Sequence, residues 1–171
     1  MEKAKKIKAF NIAEKPHVMI VQARFYDDIA DNLLEGAKAV LDRVGATYEV
    51  ITVPGSLEIP ACIIYAVKSL DFDPVRRRFD GYVALGCVIK GETHHDVIVG
   101  ETSAQGLQQI ALEHTLAIGN GILTVNTLEQ AQKRADPKQL DRGGAAAEAC
   151  LSMIEIKQNF KLIPKRRWVG R

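Results

Sequence analysis

The chain has 171 residues, 47% hydrophobic and 26% charged, with a net charge of only +2. That length fits one domain with a substantial core. The balanced charge argues against nucleic acid as a main partner, and no apolar run is long enough to span a bilayer.

The N-terminus, MEKAKKIKAF, is lysine-rich but has no apolar stretch behind it, so it does not read as a secretory signal. Residues 1–15 read as a loose arm, with KAFNIA extended. HVMIVQA (17–23) is a short apolar run expected to form a buried strand. In the segment that follows, Ile29, Leu33, Ala37, Val40, Leu41 and Val44 fall on one helical face. Asp27 or Asp28 can cap its start and Gly45 its end. TYEVITV (47–53) reads as a second strand. PGSLEIPACIIYAVKSL (54–70) reads as a turn and a helix, with Ser56 as N-cap and Pro60 tolerable only near the first turn.

A polar connector, DFDPVRRRFD, leads to GYVALGCVI (81–89), a third strand apolar on both faces. A further helix follows within THHDVIVGETSAQGLQQIALEHT, then a fourth strand within GNGILTVNT. LEQAQKRA reads as a short helix and GGAAAEACLSMIEIKQNF as a long one. Strand and helix alternate with no hairpin signal between strands. The pattern predicts parallel strands joined by helical crossovers, a doubly wound α/β sandwich. Ligands of such folds bind beyond the carboxyl ends of the strands. ARFYD, PGSLE, KGETHH and VNT therefore share one rim.

On that rim Thr93 followed by Asp96 fits a capping box, which predicts a helix starting at Thr93. Its free N–H groups, with Gly91 allowing close approach, would suit an anion such as phosphate. A histidine in the first turn, His94 or His95, sits where the helix dipole disfavours added positive charge. Adjacent helical positions point apart, so the pair does not suggest a shared metal. Ser56 and Glu58 could grip a polyol or simply begin a helix. Phe25 could stack on a ring or pack in the core. Arg134 and Arg142 could reach an anion or be solvated. Cys62, Cys87 and Cys150 lie in apolar runs without metal-like spacing and read as buried, reduced thiols. The clusters RRR (76–78) and KRRW (165–168) read as solvated surface. A cytoplasmic protein is expected. No G-x-G-x-x-G and no P-loop signature points to nucleotide binding.

RF after the first strand, VPGSLEIP after the second, ALGCVIKGETHH through the third and TLEQAQKRA after the fourth occur in this order. Together they resemble the 6,7-dimethyl-8-ribityllumazine synthases, over about residues 16–160, leaving 1–15 as an arm and 161–171 as a basic tail. The resemblance implies a three-layer, flavodoxin-like α/β sandwich with a four-stranded parallel sheet of order 2-1-3-4, and an N-terminal strand added to a neighbouring subunit. It implies a transferase that condenses 5-amino-6-(D-ribitylamino)uracil with 3,4-dihydroxy-2-butanone 4-phosphate, releasing phosphate and water, without metal or redox cofactor.

By the same resemblance, Phe25 stacks on the pyrimidine. Ser56 and Glu58 hold the ribityl chain, in a substrate-binding segment that includes Gly55 and Leu57. Backbone at Val88, Ile89 and Lys90 meets the pyrimidine edge. Glu92 and Thr93 bind phosphate, completed by Arg134 from a neighbouring subunit, and His95 transfers protons. Arg142 stands where a lysine is common.

Asp96 replaces an aromatic, Val97 an acid, Asn120 an aromatic cover over the substrate, and Ala145 a frequent glutamate. These departures leave open a weakly active or inactive flavin- or lumazine-binding paralogue. The resemblance also implies a homo-oligomer with sites between subunits. ADPKQLD has no glycine between the last two helices, which favours a pentamer over a shell.

Overall fold

A computed structural model describes residues 8–73, 75 and 78–162 of the chain. Strand β1 spans His17–Ala23, β2 Thr47–Val53, β3 Gly81–Ile89 and β4 Ile118–Val125. All are parallel and run in the order β2-β1-β3-β4 across one sheet. Helix α1 spans Asp27–Arg43, α2 Glu58–Lys68, α3 His95–Glu113, α4 Leu128–Ala135 and α5 Arg142–Asn159. A single 3-10 turn, Ser69–Asp71, follows α2. The expected fold class, strand order and four strand segments are all present.

The alternation of side chains along each strand divides the core into two layers. Val18 and Ile20 of β1 and Val83 and Leu85 of β3 pack beneath α1, α4 and α5, with Leu33, Leu41, Leu151 and Ile154. Met19, Val21, Tyr82 and Ala84 face α2 and α3, against Ile59, Ile63 and Leu107. Both faces of β1 and β3 are covered, so they read as near-continuous apolar runs, with His17 and Gln22 the buried polar residues of β1. Each fully buried Leu or Ile contributes about 1.5–3 kcal/mol.

Several local expectations change. Helix α1 has Tyr26 at its N-cap, with no side-chain cap bond, and Asp27 and Asp28 lie in the first turn. Asp27 instead holds Arg24. Its other end is as expected. Gly45 has φ +67°, its N–H donates to Asp42 O, and Ala46 N–H donates to Leu41 O, the two bonds of a Schellman motif. Ser56 does not cap α2: Leu57 holds that position, and no side-chain bond caps the helix. Pro60 is the third residue of α2, where its missing N–H costs no helical bond.

Helix α3 begins at His95 rather than Thr93, with His94 as N-cap, so no capping box joins Thr93 to Asp96. Only Cys150 is fully buried; Cys62 and Cys87 are partly exposed. All three thiols are free.

Residues 8–13 form no strand within this chain. They run along α5 instead. Lys8 Nζ donates to Ser152 Oγ, and the N–H groups of Asn11 and Ala13 donate to Glu155 Oε1 and Gln158 Oε1 at 2.8 and 2.9 Å. Arg76, Arg77 and the basic cluster 165–168 lie outside the described residues. Among the described residues, no helix is long and apolar enough to cross a membrane.

Candidate active site

A cleft of about 420 Å³ opens beyond the carboxyl ends of β1, β2 and β3, against the first turns of α3. Its size suits a small organic molecule. The turn after β1 supplies Phe25, 75% exposed at the cleft. The ring meets Tyr26 edge-on, with centroids 5.0 Å apart, and shows most of its apolar surface to solvent. Such a ring is available for stacking on a flat ligand.

The turn after β2 supplies Gly55, Ser56, Leu57 and Glu58, all on the wall. Ser56 is only 6% exposed, yet its hydroxyl has no hydrogen-bond partner among the described residues. The residue is buried, but its unpaired oxygen is open to the cleft, where a ligand hydroxyl can meet it. Glu58 opens α2, where the helix dipole favours its negative charge.

Val88 and Ile89 line the cleft from the end of β3. So does Cys87, whose thiol burial pushes up to about 11; it stays protonated near neutrality and is a poor nucleophile. Lys90 and Glu92 are exposed and stand off the wall. The Lys90 N–H donates to Val125 O at 2.8 Å, pinning the end of β3 to β4.

Gly91, Thr93, His95 and Asp96 close the cleft. Thr93 Oγ1 accepts the His95 N–H at 3.4 Å, a long bond that turns the threonine toward the start of α3. His94 lies off the wall and its carbonyl takes the Ile98 N–H. The later helix start changes the role of Asp96: it lines the cleft beside His95, whereas Val97 does not. Tyr26, Cys87 and Asp96 are wall residues not singled out as ligand-facing from the sequence. The readable signal for Asp96 was its place next to His95.

The remaining expected residues lie elsewhere. Asn120, Arg134, Arg142 and Ala145 line a second hollow of about 310 Å³ between β4, α4 and α5. The two hollows share no residue. Helix α4 brings Arg134 there because Thr127 caps its start, accepting the Gln130 N–H. One guanidinium nitrogen of Arg134 donates to Gln130 O at 3.2 Å, which fixes the side chain along its own helix. Asn120 Oδ1 accepts the Ile122 N–H at 2.9 Å, so its oxygen is tied to β4. Asp141, in the left-handed region at φ 45°, caps α5 through the Gly144 N–H and sets Arg142 at the first helical position.

The model of the 6,7-dimethyl-8-ribityllumazine synthase family matches residues 15–158. The chain belongs to that family. It is 56% identical over 146 residues to the 6,7-dimethyl-8-ribityllumazine synthase of Agrobacterium fabrum, covering 85% of this chain and 97% of that one. It is 54% identical over 144 residues to 6,7-dimethyl-8-ribityllumazine synthase 1 of Rhizobium meliloti, covering 84% and 93%. The enzyme of Sphingopyxis alaskensis is 50% identical over 144 residues, covering 84% and 96%.

Proposed function

We propose that this protein is a transferase of riboflavin biosynthesis. It condenses 5-amino-6-(D-ribitylamino)uracil with 3,4-dihydroxy-2-butanone 4-phosphate to 6,7-dimethyl-8-ribityllumazine. The family match carries this reading. The grouping of Phe25, Ser56, Glu58, Thr93 and His95 around one cleft supports it.

In this reading the pyrimidine stacks on Phe25, with its edge along Val88, Ile89 and Lys90. The ribityl chain lies along Gly55–Glu58, where the Ser56 hydroxyl and the Glu58 carboxylate take its hydroxyls. Thr93, Glu92 and Arg134 hold the phosphate. The substrate amine attacks the ketone to give an imine and water. Loss of a proton expels phosphate, the resulting enol tautomerises to a ketone, and the ribityl-bearing amine adds to that ketone and expels a second water to close the ring. His95 moves protons between these steps, as one imidazole can near neutral pH. Holding two substrates in one orientation supplies much of the remaining acceleration.

The same reading makes the working unit a homo-oligomer, a pentamer. The second hollow, with Asn120, Arg134 and Arg142, would face the cleft of an adjacent copy, and the N-terminal arm would extend a neighbour's sheet. The separation of the two hollows within one chain supports this arrangement. The reading includes a cytoplasmic location, where the three free thiols stay reduced. A spectrophotometric assay with both substrates tests the activity. Well-folded protein that yields no lumazine would return the reading to a flavin- or lumazine-binding paralogue. Light scattering that finds a shell would overturn the pentamer.

A further inference from the structure

Ser56 belongs to the turn after β2, an edge strand, yet its hydroxyl lies over β3, two strands away. It stops above Gly86. A Cβ placed on Gly86 would stand 2.7 Å from Ser56 Oγ, 3.7 Å from Ala23 Cβ and 3.7 Å from Ile122 Cγ1. The first distance is well inside van der Waals contact and the other two are ordinary. The hydroxyl, not the neighbouring strands, occupies the space that a side chain at position 86 would need. It does so without a hydrogen bond to any described residue, so only this packing and the covalent geometry of the turn hold it where the cleft can use it.

We infer that Gly86 is a positioning residue for the substrate polyol: it leaves the gap in β3 that seats the Ser56 hydroxyl toward the cleft. A methyl group at position 86 turns Ser56 to another χ1 rotamer and withdraws the hydroxyl from the ligand. Gly55 acts alike on the other polar group of the turn. A Cβ there would stand 2.9 Å from Glu58 Oε2, so the carboxylate rests over bare backbone. The inference rests on the assignment of Ser56 to the ribityl chain.

The test is a double-mutant cycle on Gly86→Ala and Ser56→Ala, read as KM for each substrate. Ser56→Ala is expected to raise KM for 5-amino-6-(D-ribitylamino)uracil about five- to tenfold, the loss of one hydrogen bond. Gly86→Ala is expected to match it, to leave KM for the butanone phosphate unchanged, and to add nothing in the Ser56→Ala background. A structural defect alone would move both KM values and add to the serine change. If Ser56→Ala raises KM and Gly86→Ala does not, or if the two effects add in full, the inference is overturned and the Ser56 assignment stands. A wild-type KM for Ser56→Ala overturns the assignment and the inference together. Should Gly86→Ala fail to fold, the double variant decides: recovery of folded protein supports the steric relation, and failure of both refutes it.

Discussion

Arg24 Nη1 lies 2.8 Å from Asp31 Oδ1, while its Nη2 and Nε lie 3.1 and 3.2 Å from Asp27 Oδ1. One guanidinium thus ties the end of β1 to the first two turns of α1. Between these anchors lie Phe25, the exposed ring of the cleft, and Tyr26. Exposed ion pairs contribute little to global stability, about 0.2–1 kcal/mol each. This pair acts on a loop, where a small change in order alters how often the ring is in place. Arg24→Ala is expected to raise KM for the pyrimidine substrate about three- to tenfold, with the melting temperature nearly unchanged. Arg24→Lys, which keeps the charge but loses the fork, should fall between. Equal kinetics for Arg24→Ala and wild type would dismiss this role.

His95 and Arg134 separate by kinetics. His95→Ala is expected to lower kcat about 10²-fold, the usual contribution of one acid–base group, with KM values little changed. Arg134→Ala is expected to raise KM for the butanone phosphate about tenfold or more, the loss of a charged hydrogen bond. Steady-state rates with each substrate varied in turn check both. A KM effect from His95→Ala with kcat intact would reverse the assignment.

The α4–α5 turn carries an acid-sensitive contact. Asp136 accepts from Gln139 Nε2 and the Lys138 N–H, both at 2.8 Å, and these bonds hold its carboxyl below the ordinary value of 3.8. A depressed folded-state value stabilises the fold above the unfolded value and loses that contribution as pH falls through the folded one. Asp136→Asn should therefore melt below wild type at neutral pH, with the gap narrowing below about pH 4. Melting curves from pH 7 to 2 measure this. A gap that stays constant would show that the charge is irrelevant.

Leu33 is fully buried between α1 and the sheet. Leu33→Ala should cost about 2–5 kcal/mol, read as a lowered urea midpoint. The residue lies outside both hollows, so activity per folded molecule should remain.

What the sequence revealed and what it hid have physical causes. Strands β1 and β3 were readable to the residue because parallel strands covered on both faces are near-continuous apolar runs, and the edge strand β2 because β-branched residues dominate it between turn residues. Helix α1 was readable from its apolar stripe. Helix starts were less so. Asp27, Ser56 and Thr93 all have capping side chains, and none caps its helix. Asp27 is taken by Arg24, Ser56 is turned into the cleft, and Thr93 meets the helix one bond late. A capping residue next to a ligand site has two possible partners, and local sequence does not say which one wins. The shift of α3 from Thr93 to His95 decided the role of Asp96, a cleft residue rather than a cap. The division of candidate residues between two hollows came only from the family resemblance, which gave Arg134 to a neighbouring subunit, and not from the residue pattern. Spacing along the chain does not show that α4 and α5 carry Arg134 and Arg142 away from the rim.

The two hollows share no residue, and this has a consequence for mixed assemblies. In the proposed ring each site joins the His95 cleft of one copy to the Arg134 hollow of the next. A protein made only of His95→Ala subunits is defective at every site, and so is one made only of Arg134→Ala subunits. Unfolded, combined in equal amounts and refolded, the two impaired preparations should exceed the rate of either alone when the butanone phosphate is kept well below the KM of the Arg134→Ala protein. About a quarter of the interfaces in a head-to-tail ring would then pair an intact histidine with an intact arginine. If the halves instead met within a single chain, no mixture of the two would ever make lumazine faster than its components.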